Sequence, residues 1–290
     1  MLAVVILTYR RPSGELRRSV DAVLHAGGAD RVLVIDNGEQ AADALADLDD
    51  PRVSVVTNDI NLGYAGGMNV GIRAALEQGA QLIALLNDDV VVRNGWLAAL
   101  TATLLADPQL GAVQPMLVHG DGESELVNSM GVVVGSDGAG IDLGRDEAVD
   151  LDRPAVVPIE CFTGGAVVIR REFVADVGVF DERYFLYYED VDLAARGARR
   201  GWRYACVTTS RVDHEGSATT KLLGDRQRYF QERNRLRATM THGSWRQIGA
   251  AWWLTVRRLR HPPRGTHARA AAAGLVATPS SLRGRRRHTA

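Results

Sequence analysis

The sequence predicts an α/β fold built on a Rossmann-like sheet, and three observations predict it. Short runs rich in Val, Ile and Leu recur at residues 4–7, 32–35, 53–56 and 81–86, and all but the last end in a polar or Gly-rich turn. Helix-compatible segments, 15–26, 40–48 and 68–78, lie between them. Strands alternating with helices in this way form a parallel sheet with crossover helices. At 290 residues, 46% of them hydrophobic, the chain can bury the core such a fold needs.

The elements follow in order. The first strand ends at Thr8-Tyr9-Arg10, the second at Asp36-Asn37-Gly38 and the third at Thr57-Asn58. Leu82-Ile83-Ala84-Leu85-Leu86 then runs into Asn87-Asp88-Asp89, so a strand covered on both faces delivers two adjacent carboxylates at its carboxyl end. Open α/β sheets bind ligands at that end. Paired carboxylates repel unless a cation or a ligand's polar groups compensate them, so the doublet points to a metal-phosphate site. Its alternative is a helix cap, with the next helix at 95–106.

A Gly- and Asp-rich middle, 119–153, reads as loops and short strands. Order returns with Thr163-Gly164-Gly165 leading a strand, then a helix at 172–177. Phe180 through Asp192 surrounds an aromatic cluster with carboxylates, and Glu189-Asp190 opens a helix at 191–200. Aromatic walls exclude water and raise a carboxylate toward general-base duty, while a helix start stabilises and fixes it. His214 follows a strand at 204–208 and is a metal-ligand candidate, or simply a solvent or core residue.

Charge divides the chain. Residues 1–220 carry 18 Lys and Arg against 33 Asp and Glu, net −15, whereas 221–290 carry 16 against 2, net +14. Helical patterning there sets Trp245, Trp252 and Trp253 among Arg246, Arg257, Arg258 and Arg260, as an interfacial helix requires. An oligomer interface is the plainer alternative, and 283–287 reads as a disordered tail. Cys161 and Cys206 have no redox or metal spacing, which excludes a disulfide framework. No leader or membrane span is evident, so the expected location is the cytoplasm, peripheral on the inner membrane face.

Asp36 can accept from a nucleobase imide or a ribose hydroxyl, although Asp-Asn-Gly is also a strong turn signal. Asn61-Leu62-Gly63-Tyr64-Ala65-Gly66-Gly67-Met68-Asn69 reads as a glycine-rich loop ahead of a helix, fit for phosphate.

With Gly178-Val179-Phe180-Asp181-Glu182, Tyr188-Glu189-Asp190-Val191-Asp192-Leu193, Gly201-Trp202 and His214, these motifs stand in one order over residues 3–220. The ordered set resembles an inverting family 2 glycosyltransferase of the GT-A fold, in its rhamnosyltransferase-like subgroup. The resemblance implies a GT-A domain over 1–220, with a nucleotide-sugar half to about 115 and an acceptor half beyond, then a basic helical extension from 221. It implies that Thr8, Tyr9, Arg10, Asp36, Asn61, Gly63, Asn69, Asn87 and Asp88 bind the donor. Asp89 and His214 would hold Mg²⁺ or Mn²⁺. Asp190 would be the catalytic base, with Gly164, Gly165, Tyr188 and Glu189 on the acceptor side. The implied donor is dTDP-rhamnose or a UDP-sugar, and the acceptor a glycan or polyprenyl-linked saccharide of the cell envelope.

Two departures stand out: Asn87 replaces the first acid of the family's DxD, and Asp36-Asn37-Gly38 lacks its Ser-Thr-Asp continuation. The rival readings are a sugar-1-phosphate nucleotidyltransferase, which would want a Gly-rich, Lys-bearing loop after the first strand, and an inactive nucleotide-sugar-binding scaffold. Nucleic-acid binding is disfavoured because the basic tail carries tryptophans at helical spacing, not a stacking sheet face.

Overall fold

The computed structural model describes residues 1–38, 40–120, 122–214 and 224–274. The expected tail at 283–287 lies outside them. In chain order the strands are β1 (Leu2–Thr8), β2 (Arg31–Asp36), β3 (Val53–Thr57), β4 (Leu82–Asn87), β5 (Val90–Val92), β6 (Leu110–His119), β7 (Leu126–Ser129), β8 (Val132–Val134), β9 (Gly140–Asp142), β10 (Val156–Ile159), β11 (Ala166–Arg170) and β12 (Arg203–His214). The helices are α1 (Ser13–Ala26), α2 (Ala41–Ala44), α3 (Gly63–Glu77), α4 (Trp96–Ala106), α5 (Arg171–Val177), α6 (Glu189–Ala198), α7 (Asp225–His242) and α8 (Trp245–Arg258). A further helix occupies 264–274.

Ten strands form one mixed sheet, in the order β10-β12-β6-β11-β4-β1-β2-β3, with β5 beside β12 and β7 beside β6. β3, β2, β1 and β4 are parallel, as the alternating pattern predicts, while β11 enters antiparallel between β4 and β6. The apolar runs are buried because both faces are covered. Leu16, Val20, Trp96 and Leu100 pack on one face, and Met68, Ile72, Phe173 and Leu193 on the other. Since β2 and β4 flank β1 on opposite sides, the chain changes direction there, and a crevice opens at the carboxyl ends.

Three local readings change. The expected helix 40–48 shrinks to α2, one turn, in which the small side chain of Ala41 is the one buried, so little packing supports a longer helix. The glycine-rich segment is no loop: α3 begins at Gly63, whose N–H bonds to the Asn61 side chain at 2.8 Å. Gly66, Gly67 and Gly71 lie within that helix, where a Cβ at Gly71 would sit 2.2 Å from Val5 and one at Gly67 2.5 Å from Leu7. They let α3 lie close on the sheet. The strand expected over 204–208 runs on as β12 to His214, with a register irregularity between Val207 and Arg211.

Candidate active site

Sheet register builds the first part of the site. β1 and β4 pair so that Leu7 lies opposite Asn87, and the doublet Asp88-Asp89 follows on the turn into β5. A strand, not a helix, comes next, so the doublet caps no helix. β5 pairs antiparallel with β12, placing His214 opposite Val90. That pairing carries His214 to Asp89, with Nε2 to Oδ1 at 3.3 Å.

The electrostatics of the doublet are asymmetric. Burial pushes Asp88 up to about 6, against hydrogen bonds from the Thr8 side chain and the Tyr9 N–H. Burial also acts on Asp89, but His214 and Arg11 outweigh it and hold Asp89 below the usual carboxylate range. The Asp89–His214 contact fails hydrogen-bond geometry, so Asp89 Oδ1, His214 Nε2 and Asp88 Oδ2 are all buried without a hydrogen-bond partner among the described residues. Buried unpaired polar atoms need a partner. The other face of the imidazole is spoken for: Nδ1 donates to Asn128 Oδ1 at 2.8 Å, leaving the Nε2 lone pair free. Metal-binding histidines are oriented in this way. Asp89 and His214 therefore fit a divalent cation. No cluster of three or more His, Cys, Asp or Glu that could hold a metal occurs among the described residues.

A cavity of about 260 Å³ opens over this pair, lined by Leu7, Tyr9, Asn37, Asn61, Gly63 and Asn87 to Asp89 on one side and Phe185 to Tyr187 on the other. Thr8 acts behind it through Asp88. Besides Thr8, three expected donor residues do not line it. Arg10 is exposed, its guanidinium 5.3 Å from the Tyr9 ring centroid. Asp36 is buried and spends its carboxylate on the N–H groups of Gly38, Gln40 and Ala41, each at 2.7 Å, which is the turn role of Asp-Asn-Gly. Asn69 is buried and bonded to Phe180 in both directions and to Glu182, tying α3 to the segment before the second acidic pair.

A second cavity, about 410 Å³, adjoins the first and shares Tyr64, Asn87, Leu186, Tyr187 and His214 with it. Gly164, Gly165, Tyr188, Glu189 and Asp190 line it. Asp190 accepts from Gly164 N–H at 3.0 Å and Val191 N–H at 2.8 Å. Burial raises its pKa, opposed by those N–H groups and aided by Asp142. Burial, then the neighbouring Asp190 charge, raises Glu189 well above the usual range, and its Oε2 has no hydrogen-bond partner among the described residues. Burial thus lifts both acids of the pair, and Glu189 also carries the repulsion of Asp190.

The wall between the cavities is strained. Phe185, Tyr187 and Tyr188 have φ of 65°, 70° and 71°, values at which bulky side chains are rarely found. Gly63, with φ +71°, leaves room for this wall, since a Cβ would stand 2.3 Å from Phe185 O. Helix α7 holds the wall in place. The fully buried Asn234 donates to the carbonyls of Tyr184, Leu186 and Tyr187 at 2.9, 2.8 and 2.8 Å, Arg233 adds a bond to Tyr184 O at 2.6 Å, and Phe230 stacks on Phe185. Sequence reasoning missed Asn234 and Asn128; neither stands in a motif. Tyr64, also missed, sits inside the glycine-rich stretch and donates to Gly164 O at 2.5 Å, linking the two halves.

Comparison with known proteins places this geometry. An N-acetylglucosaminyl-diphospho-decaprenol L-rhamnosyltransferase of Mycobacterium tuberculosis is 28% identical over 242 residues, spanning 76% of this chain and 78% of the relative. The galactofuranosyltransferase GlfT1 of the same organism is 28% identical over 271 residues, 86% of this chain and 85% of its own. Among solved structures, GalNAc-T7 with UDP, GalNAc and Mn²⁺ superposes with a TM-score of 0.68 at 16% identity, over 93% of this chain and 54% of that one. The mannosyltransferase PcManGT of Pyrobaculum calidifontis, with GDP-Man and Mn²⁺, gives 0.58 at 16% identity, over 97% and 79%. At such identity these two speak to the fold alone, which is GT-A. The glycosyl transferase family 2 model matches residues 3–178, more than half of the sequence. This chain accordingly belongs to glycosyl transferase family 2 and is a glycosyltransferase.

Proposed function

We propose that the enzyme transfers a sugar, with inversion and with a divalent cation, from a nucleoside diphosphate sugar to a hydroxyl of a glycan or polyprenyl-linked saccharide in cell-envelope polysaccharide synthesis. One observation carries the reading: the Asp89–His214 pair and the Asp190 carboxylate open onto adjoining cavities with a common wall. The smaller cavity takes the donor. Tyr9, Asn37 and Asn61 line its nucleotide side, while Thr8 and Tyr9 orient Asp88. Asp89 and His214 hold Mg²⁺ or Mn²⁺, which when bound stabilises charge on the nucleoside diphosphate leaving group.

Asp190 works from the larger cavity. Its carboxylate, steered by the Gly164 and Val191 N–H groups, takes the proton of the acceptor hydroxyl as that oxygen attacks the anomeric carbon. Tyr64, Leu186 and Tyr187 exclude water between the cavities, so the sugar passes to the acceptor. A single displacement inverts the anomeric centre. By the relative that transfers L-rhamnose, dTDP-rhamnose is the first donor to try and a UDP-sugar the second.

The reading places the enzyme at an anionic membrane surface. No helix among the described residues is long and apolar enough to cross a membrane. Trp245, Trp253 and Val256 are exposed at helical spacing on α8, with Arg257 over Trp253. Loss of co-sedimentation with anionic vesicles on deleting 245–290 supports this placement, and persistence overturns it.

A panel of nucleotide sugars, read by thermal shift with and without Mn²⁺ and then by transfer, tests the main reading. Asp190→Ala is expected to abolish transfer while nucleotide binding stays. Transfer by that variant at the wild-type rate rejects Asp190 as the base.

A further inference from the structure

We propose that Arg258 is an anion-binding group of the acceptor cavity and that the acceptor carries a phosphate ester beside the hydroxyl that reacts. The inference rests on the transferase reading and adds the acceptor's chemical class.

The amphipathic α8 would put Arg258 with the surface cations, but the structure turns it inward. Arg258 lines the larger cavity together with Asp190, and with Gln231 and Arg235 from α7. Behind it lies a buried ionic cluster. Glu232 and Arg235 have side chains only 2% exposed, and Glu232 accepts from Arg235, from Thr255 and from Arg258 Nη1. Arg235 also donates to the carbonyls of Asp137 and Ala251, so it is committed within the protein. One carboxylate thus faces two guanidinium groups, leaving one net positive charge. Both arginines line the cavity, but Arg235 is spent on internal bonds, and Arg258, its side chain 40% exposed, is the one open to a ligand.

Burying such a cluster costs desolvation, and apolar packing would stabilise as well. What the cluster adds is a guanidinium held in one place. The cavity is therefore bipolar, with Asp142, Glu189 and Asp190 on one wall and Arg258 on another. A hydroxyl meets the acidic wall and an anion the basic one. The guanidinium fork matches phosphate. Phosphate is favoured over a sugar carboxylate because Arg258 lies on the helix that exposes Trp245 and Trp253. A phosphate joining a saccharide to a lipid would lie between that surface and the cavity.

The test uses the full chain and two acceptors with one glycan, an alkyl glycoside and the matching alkyl phosphodiester. Wild-type kcat/KM is expected to favour the phosphodiester by about tenfold or more, the scale of a hydrogen bond to a charged group. Arg258→Gln should collapse that ratio, mainly through acceptor KM, and Arg258→Lys should restore part of it. A wild-type ratio near one, or a ratio that survives in Arg258→Gln, overturns the proposal. If the Gln variant does not fold, the wild-type and Lys ratios still decide. Absence of transfer to either acceptor from every nucleotide sugar overturns the transferase reading and this one with it.

Discussion

Asp88-Asp89 and Glu189-Asp190 are both adjacent acid pairs beside a ligand-sized cavity, fully buried but for the half-buried Asp190, and the protein treats them differently. Asp89 has His214 and Arg11 nearby and stays charged despite burial. At Glu189 and Asp190 burial prevails, and both rise. The first pair ends a strand, where neighbouring strands bring residues from distant parts of the chain. The second opens a helix behind strained tyrosines. Similar dipeptides thus become a cation site and a base, and the neighbours make the difference.

Removing Asp89 should break the comparison most severely. Asp89→Ala is expected to abolish the Mn²⁺-dependent rise in melting temperature with nucleotide sugar and to lower transfer by at least about 10²-fold. A rise equal to wild type would show that the first pair holds no ion. Next comes Asn128→Ala, which frees the His214 ring. Metal affinity by titration calorimetry should weaken about 10- to 100-fold, as is usual when a histidine's orienting partner is lost; unchanged affinity would deny His214 a ligand's role.

Asn234→Ala acts on the wall instead. It takes a donor from the carbonyls of Leu186 and Tyr187, leaves Tyr184 O its bond from Arg233 and releases a strained segment, at a cost of about 1–3 kcal/mol in denaturant unfolding. Donor hydrolysis should rise relative to transfer, because the wall no longer excludes water. A stability loss without that change would make Asn234 purely structural.

The smallest effect is in pH. Glu189 has a folded pKa above its unfolded value, so the native state keeps a proton that the unfolded chain releases. Its stabilising contribution is complete below the unfolded value, about 4.3, and is lost as pH rises toward the folded value. The slope is at most about 1.4 kcal/mol per pH unit. Glu189→Gln should flatten that decline in unfolding free energy. A steeper decline would reverse the assignment.

Much of this was legible in the chain. The parallel half, its strand ends and the doublet after β4 follow from local apolar runs, and the ordered motifs carried the family. His214 was a metal-ligand candidate from its place after a strand, and the resemblance strengthened that reading; its contact with Asp89 needed the β5–β12 register. Asp36 and Asn69 do not line the cavity because short polar side chains serve turns and ties to neighbouring segments as readily as ligands. Nothing in Arg233-Asn234-Arg235 signals a clamp, since what Asn234 grips lies 47 to 50 residues away.

Composition and periodicity by themselves determined the α/β class, the acidic body with its basic end, and the carboxylates at the crevice. These depend on local propensity and on burial, which neighbouring residues encode. Only the tertiary structure decided which acid is charged, which histidine nitrogen is free, and which arginine turns into the cavity. Each of those depends on the field and hydrogen bonds of groups distant in sequence, and pairing strands and docking α7 and α8 brings those groups together.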